Sequence, residues 1–170
     1  MSSDARLSVG DLLTALIDGD VDFLVVGGIA VQAHGHARTT KDLDVLVRRD
    51  PQNYERLAAV MDVIHAAETA EELTGFLTLD PRDPVDLARA GMLAVSTPAG
   101  RIDILNRAAG ADEFDAMRSR ALMLDLQGRA VPVVDLDDLI AMKRAAGREQ
   151  DRRDIAALIE AAGERPPPGV

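Results

Sequence analysis

The segment from Phe23 to Val47 constrains the fold of this chain more than any other part of the sequence. It opens with Phe23–Val26, four apolar residues whose length and β-branched content indicate a buried strand. Gly27 and Gly28 follow, and they allow the backbone to turn sharply and to lie bare against a ligand. Residues 29–34 predict one or two turns of helix, with free N–H groups that would point back at the glycines and suit a phosphate.

A second strand is predicted next, and it carries two carboxylates. Side chains alternate between the two faces of a strand, so Asp42 and Asp44 point the same way. The aliphatic side chains of this strand point the other way: Leu43, Val45 and Val47. Two carboxylates on one face of an apolar strand require a cation nearby. Mg²⁺ is the first candidate, because it takes hard oxygen ligands and is usually held by one or two carboxylates together with substrate phosphates.

A third carboxylate is isolated in an apolar strand further along the chain. Residues 92–96 and 101–105, separated by a Pro-Ala-Gly turn, predict a β-hairpin. Within its second strand, Ile102 and Ile104 face one way and Asp103 faces the other. This interpretation depends on register, because a slip of one residue would reverse every side chain.

Length and composition limit the classes of protein to consider. At 170 residues without cysteine, we expect one domain with a single core and neither disulfides nor thiolate metal sites. No apolar run approaches the ~20 residues of a membrane span, and the N-terminus is unlike a signal peptide. We therefore expect a soluble cytoplasmic protein without a membrane partner. A net charge of −10 and an aromatic content of 2% argue against a broad nucleic-acid-binding face, although one local basic groove remains compatible with them.

Helical spacing and helix-start signals predict most of the remaining structure. The predicted helices cover residues 9–18, 51–66, 86–90, 112–118, 136–146 and 149–161. Gly147 would separate the last two helices, which close the fold. Ile155, Leu158 and Ile159 would give the final helix its buried face.

Two further stretches contribute to the sheet. Residues 121–126 and 130–134 predict a second hairpin. The stretch before Pro81 is ambiguous, and we interpret it as a helix over 70–73 followed by a short strand over 75–79.

The fold class that these elements predict is α/β. We expect a mixed sheet with the three aspartates on one face and helices packed on the other. The pattern indicates a single domain over residues 1–162, followed by a disordered tail over 163–170 whose proline-rich sequence cannot pack.

The glycine pair and the acidic strand together resemble the nucleotidyltransferase fold shared with DNA polymerase β. The signature of that fold is Gly-Gly or Gly-Ser, a spacer, and then Asp-x-Asp or Asp-x-Glu. The pattern is most similar to the small bacterial branch that includes the nucleotidyltransferases of type IV toxin–antitoxin systems. The resemblance extends from residue 22 to about residue 160, and the residues that carry it are Gly27, Gly28, Ala30, Val31, His34, Gly35, Arg38, Thr40, Asp42, Asp44, Asp103, Lys143, Gly147, Arg148, Asp151 and Asp154. One departure is Gly28, because many catalytically proven relatives have serine there and its hydroxyl touches the phosphates.

The resemblance implies transfer of a nucleoside monophosphate from an NTP, such as ATP, to a hydroxyl group with release of pyrophosphate. It assigns Asp42, Asp44 and Asp103 as catalytic residues that bind two Mg²⁺ (or Mn²⁺) ions, with Asp103 completing the ion that activates the acceptor. The nucleotide-binding residues that it implies are Gly27, Gly28, Arg38, Thr40, Lys143 and Arg148.

Several of these side chains also have a plainer interpretation. Arg38 would lie at the mouth of the site or be a solvated loop charge. Lys143 continues an apolar stripe, so its ammonium either snorkels to solvent or reaches a phosphate, and the resemblance favours the phosphate. Arg148 and Asp151 have helical ion-pair spacing. We expect Asp154 to be structural, bonded to Arg148 or Lys143 from inside.

The acceptor of the nucleotide is left open. A tRNA end or a protein side chain would suit a toxin-like enzyme, which would have a cognate antitoxin as a partner. An antibiotic hydroxyl is the chief rival, since aminoglycoside and lincosamide nucleotidyltransferases carry a similar signature. The acidic surface would suit a cationic aminoglycoside, whereas the closing Lys-x4-Arg helices favour the toxin branch. A non-catalytic nucleotide-binding or interaction module is a third alternative, which the three uncompensated carboxylates disfavour.

Overall fold

The computed structural model describes residues 8–164, which form one eight-stranded sheet and seven helices. The strands are β1 (Phe23–Val26), β2 (Leu43–Val47), β3 (Ala70–Glu72), β4 (Leu77–Leu79), β5 (Met92–Thr97), β6 (Gly100–Leu105), β7 (Leu122–Leu126) and β8 (Arg129–Val133). The helices are α1 (Val9–Asp18), α2 (Gly27–Ala33), α3 (Pro51–Val63), α4 (Pro84–Arg89), α5 (Phe114–Ser119), α6 (Leu136–Ala146) and α7 (Glu149–Glu164).

The sheet is mixed, and its strand order is β4-β3-β5-β6-β2-β1-β8-β7. β1 is antiparallel to β2 and parallel to β8, while β2 is parallel to β6. The two predicted hairpins are present as β5–β6 and β7–β8. The α/β class and the mixed sheet are therefore confirmed.

The core lies around the central strands. All four residues of β1 are buried, and in β2 only Asp44 is partly exposed. A strand buried along its whole length must be covered on both faces, which explains why β1 is a continuous apolar run rather than an alternating one. Within residues 8–164 no helix is both long and apolar enough to cross a membrane.

Short local signals set several helix ends as expected. Ser8 and Asp11 form a capping box at the start of α1. Asp50 caps α3 through the backbone N–H groups of residues 52 and 53, with Pro51 in the first turn. Gly147 separates α6 from α7 in the left-handed conformation, with φ of 67°. The glycine helix α2 starts at Gly27 itself, two residues earlier than predicted.

The helix predicted over 70–73 is wrong, because residues 70–72 form the strand β3. This strand pairs with β4 on one side and β5 on the other, so tertiary pairing overrides the helical preference of its Ala-Glu-Glu sequence. The buried carboxylate of Glu72 accepts hydrogen bonds from the N–H groups of Gly91 and Met92 at 3.0 and 3.3 Å. The strand predicted over 75–79 is present in shortened form as β4.

The predicted buried face of the last helix is also partly wrong. Leu158 is buried, but Ile159 is 53% exposed and Ile155 is only partly buried. The other buried positions of α7 are acidic, Asp151 and Asp154. The helix extends through Glu164, two residues beyond the predicted domain boundary, and the rest of the predicted tail, residues 165–170, lies outside the described residues.

Candidate active site

The glycine turn at Gly27 lies directly against the carboxylate of Asp44 on β2. β1 ends at Val26, which pairs with Asp44 on β2. Gly27 then adopts φ of 65°, a left-handed conformation that glycine accepts without strain. A Cβ atom at Gly27 would overlap the Asp44 carboxylate. This position therefore requires glycine for two reasons, the backbone angle and the close approach of Asp44.

Asp42, Asp44 and Asp103 form what we term the acidic cluster. Asp44 on β2 and Asp103 on β6 are direct register partners on neighbouring parallel strands, and Asp42 lies one residue before β2. The register predicted for Asp103 is thus confirmed. Burial raises the pKa of Asp44 to about 7, and the charges of Asp103 and Asp42 add to this rise. An Arg101 charge opposes it only in part.

Asp103 differs from the other two members of the cluster because it already has a cationic partner. Its carboxylate is buried, and Arg101 donates to both of its oxygens, from Nε at 2.5 Å and from Nη2 at 2.9 Å. Sequence reasoning missed this pair. The signal was present, since residues two apart on a strand share a face.

The donor set fits a hard divalent cation on the Asp44 side of the cluster. Burial is the main cause of the raised pKa of Asp44, the charges of Asp103 and Asp42 add to it, and carboxylates are ligands that Mg²⁺ prefers. Among residues 8–164, no three His, Cys, Asp or Glu side chains are arranged so that they could hold a metal together. Among these residues Asp42 and Asp44 form no ion pair, whereas Asp103 is engaged by Arg101.

A second group of charges, which we term the ion-pair cluster, joins the loop before β2 to the closing helices. Its members are Arg38, Lys143, Arg148, Asp151 and Asp154.

Lys143 lies at the centre of the ion-pair cluster. Its ammonium is buried between the carboxylates of Asp151 and Asp154, at 3.2 and 2.8 Å. The side chain does not snorkel to solvent, so that interpretation is wrong. Burial works to raise the pKa of Asp154, but hydrogen bonds from Lys143 and Gln150 outweigh it, and the pKa is lowered.

Arg38 reaches the ion-pair cluster from the other side and connects it to the glycine turn. Its Nη1 donates to both oxygens of Asp154, at 3.2 and 3.1 Å. A Cβ atom at Gly28 would lie 2.8 Å from Arg38 Nη2 and 2.8 Å from Thr40 Oγ1. A serine could enter this position only if Arg38 and Thr40 moved, which gives a physical reason for Gly28. Arg38 is a part-buried ion-pair partner here rather than a solvated loop charge.

Arg148 brings the two clusters within electrostatic reach of each other. Its Nε donates to Asp151 at 2.8 Å, and this bond is the main reason why the pKa of Arg148 is raised. The Asp44 carboxylate also contributes to the rise. The structure thus brings the predicted site residues to one region at the C-terminal end of β1. The sequence predicted Asp154 as a structural partner of Arg148 or Lys143, and the structure pairs it with Lys143 and also with Arg38, which was not foreseen.

The closing helices are anchored close to this region through β8. Val133 on β8 pairs with Val25 on β1, and the imidazole Nε2 of His34 lies 2.7 Å from the carbonyl oxygen of Val134. Because α6 follows β8 at once, these contacts fix Lys143 relative to the glycine turn.

Comparison with solved structures identifies the fold. The lincomycin-bound lincosamide antibiotic adenylyltransferase LnuA is similar with a TM-score of 0.60 and 14% sequence identity, covering 92% of this chain and 99% of that one. ANT(2″)-Ia in complex with adenylyl-2″-tobramycin is similar with a TM-score of 0.56 and 15% identity, covering 89% of this chain and 86% of that one. At these identities the likeness establishes the fold, which is that of nucleotidyltransferases.

The sequence defines the family within this class. Residues 11–165 match the family of the nucleotidyl transferase AbiEii toxin of type IV toxin–antitoxin systems. The chain belongs to this family and is a nucleotidyltransferase. A comparison with curated proteins gives no match.

Proposed function

We propose that the protein transfers a nucleoside monophosphate from an NTP, such as ATP, to a hydroxyl group, in a reaction that depends on Mg²⁺ or Mn²⁺. The observation that carries this proposal is the Asp44 carboxylate, which lies against the glycine turn. Burial and nearby like charges raise its pKa to about 7. A chain that buries such a group without balancing it loses stability, and a cation carried by the substrate restores the balance.

When bound, the cation would neutralise the triphosphate and polarise the reacting phosphoryl group. Asp42 and Asp44 would hold it from β2. Asp103, on the neighbouring strand, would accept the proton of the attacking hydroxyl. The new bond forms between the acceptor oxygen and the α-phosphorus, and the bond from that phosphorus to the bridging oxygen of pyrophosphate breaks.

The cationic side chains of the ion-pair cluster would hold the leaving pyrophosphate. Lys143, Arg38 and Arg148 supply three positive charges against the two carboxylates of Asp151 and Asp154, so the cluster has a formal charge of +1. The bare backbone of Gly27 and Gly28 would let the triphosphate approach β1, with the Thr40 hydroxyl close by. Catalysis would therefore rest on positioning and on charge neutralisation.

For the acceptor we propose an RNA end or a protein side chain, as a toxin of a toxin–antitoxin pair would modify, with a cognate antitoxin as the partner. Membership of the AbiEii toxin family supports this assignment. An antibiotic hydroxyl is the second candidate. It is supported by the bound lincomycin and adenylyl-tobramycin in the two similar structures and by the net charge of −10, which suits a cationic aminoglycoside.

The proposal can be tested by incubating the protein with each α-labelled NTP, Mg²⁺ and either total cell RNA, a lysate or purified aminoglycosides. We expect label in a macromolecule, and nuclease or protease treatment then separates RNA from protein acceptors. Asp44→Asn and EDTA serve as matched controls and should abolish labelling. Labelling that survives in both controls would contradict the proposed site, and Mg²⁺-dependent NTP binding without any product would favour the non-catalytic module.

A further inference from the structure

Arg101 contacts the acidic cluster, although it is not among the residues assigned to the site. It lies on β6 two residues before Asp103, so the two side chains share a face of the sheet. Its guanidinium forms a two-point ion pair with Asp103, through Nε and Nη2 at 2.5 and 2.9 Å. Fork-shaped pairs of this kind are among the strongest charge-assisted hydrogen bonds in proteins. Both oxygens of the third carboxylate are thereby engaged.

The same guanidinium faces the whole acidic cluster. The hydrogen bond to Asp103 is the main cause of the raised pKa of Arg101, and the charges of Asp42 and Asp44 contribute as well. Three carboxylates with one guanidinium leave a formal charge of −2. Arg101 therefore acts as an internal counter-ion that is centred on Asp103 and leaves Asp44 largely unbalanced.

The two partners differ in their access to solvent. The Arg101 side chain is 42% exposed, whereas the Asp103 side chain is 6% exposed. The guanidinium can turn outward and be solvated by water at the cost of its ion pair, but the aspartate cannot leave the sheet. A cation that approaches Asp103 competes with the guanidinium for the two carboxylate oxygens, and the two positive charges repel each other.

We propose that Arg101 blocks the carboxylate of Asp103 until a divalent cation competes for it, a role that we term a latch. In the nucleotide-free protein it holds Asp103, and it releases Asp103 only when a divalent cation competes for that carboxylate. This inference rests on the proposed metal-dependent transfer. It makes Arg101 a positioning residue that keeps the cation affinity of the free protein low and couples completion of the site to the arrival of the cation with its nucleotide at Asp42 and Asp44.

The test is Mg²⁺ and Mn²⁺ binding to the full chain without nucleotide, measured by calorimetry for wild type and Arg101→Ala. We expect the substitution to tighten cation binding by roughly tenfold or more, the scale on which a hydrogen-bonded charge pair acts. Arg129→Ala is the matched control, because Arg129 forms the same two-point pair with Asp18, at 2.8 and 2.9 Å, on β8, which β2 and β1 separate from β6. This control should leave cation binding unchanged.

Thermal unfolding gives a second readout. Removal of Arg101 leaves Asp103 buried without a partner, so Arg101→Ala should melt lower than wild type and should gain more from added Mg²⁺. Arg101→Lys keeps the charge but not the fork, and it should bind Mg²⁺ with an affinity between those of wild type and Arg101→Ala. If Arg101→Ala does not fold, the lysine variant decides the question, and an affinity equal to wild type would overturn the latch.

Unchanged or weaker cation binding in Arg101→Ala, with transfer lost at every Mg²⁺ concentration, would also overturn it. Arg101 would then be a permanent cation of the site. These outcomes are separate from failure of the proposed function, which would appear as wild-type protein that binds NTP equally in EDTA and in Mg²⁺.

Discussion

The acidic cluster and the ion-pair cluster both contain buried carboxylates, but the pKa of Asp44 is raised, whereas the pKa values of Asp151 and Asp154 are lowered. In the ion-pair cluster two carboxylates meet three cations. Against the effect of burial, hydrogen bonds from Arg148 and Lys143 lower the pKa of Asp151, and hydrogen bonds from Lys143 and Gln150 lower the pKa of Asp154. In the acidic cluster three carboxylates meet one arginine, and burial raises the pKa of Asp44 to about 7. Burial alone therefore does not separate a structural carboxylate from a functional one. The local balance of charge does.

The largest effect that we expect is on transfer, from Asp44→Asn. The substitution removes a carboxylate from the proposed cation site, so transfer should fall by roughly 10²-fold or more. The nucleotide-free protein should be as stable as wild type or more stable, because one of three repelling charges is gone. Labelled-nucleotide assays and thermal unfolding at pH 8 measure the two quantities. A large drop in the melting temperature would place Asp44 with the structural carboxylates and remove the contrast between the clusters.

Asp154→Asn should lower the stability of the protein, in contrast to Asp44→Asn. It leaves Arg38 and Lys143 facing a neutral amide, and breaking a buried ion pair from one side costs about 3–5 kcal/mol. Urea unfolding measures this loss. Asp18→Asn is the matched control, because its pair with Arg129 is exposed to solvent and its loss should change stability little. Equal stability of Asp154→Asn and wild type would show that the cluster is not needed to hold the fold.

Lys143→Ala tests whether the ion-pair cluster contacts the phosphates of the nucleotide. The ammonium should contact the leaving phosphates rather than the nucleoside, so NTP affinity should fall roughly tenfold while NMP affinity changes little. Both nucleotides are titrated into the variant in the presence of Mg²⁺, and their affinities are compared. Arg144→Ala is the control, because Arg144 is next to Lys143 in the sequence and is exposed. An equal loss for NTP and NMP would move Lys143 away from the phosphates. A loss of stability without any change in binding would leave it a structural residue.

The smallest expected effect is a pH dependence of stability. Because the pKa of Asp44 is about 7 in the folded protein and 3.8 when unperturbed, the folded state binds more protons between these values. This group therefore stabilises the protein at low pH, and its contribution is lost as pH rises through about 7. Unfolding of metal-free protein between pH 5 and 8 should show a decline that is absent in Asp44→Asn. A parallel decline in both proteins would assign it to other groups.

Much of the acidic cluster could be predicted because its signals are local. The turn needs glycine at Gly27, and the period of two along a strand fixes the faces of Asp44 and Asp103. A hairpin of short strands around a Pro-Ala-Gly turn leaves little freedom of register, so the face of Asp103 could be predicted, and the parallel pairing of β6 with β2 then brings it beside Asp44. The same reasoning could have found Arg101, which is on the same strand.

The ion-pair cluster could be predicted only in part because its pairs are distant in sequence. Lys143 and Asp151 are close along the chain, but Arg38 and Asp154 are 116 residues apart, and no local pattern connects them. The exposed Ile159 and the strand β3 fail for a related reason. Burial and pairing at these positions depend on which neighbour the fold supplies, and residue type does not reveal that.

The span of the Arg38–Asp154 pair also has a consequence for synthesis. Arg38 belongs to the first quarter of the chain and Asp154 to its last helix, so the pair cannot form on a growing chain until α7 has been made. Domains emerge from the ribosome N-terminus first, and contacts at long separation form late. The glycine turn and all three aspartates of the acidic cluster can therefore fold before Asp151 and Asp154, the anionic partners in the ion-pair cluster, have been made. Truncation before α7 should therefore yield a protein that keeps Arg38, Lys143 and Arg148 but lacks the two carboxylates that hold these cations in place.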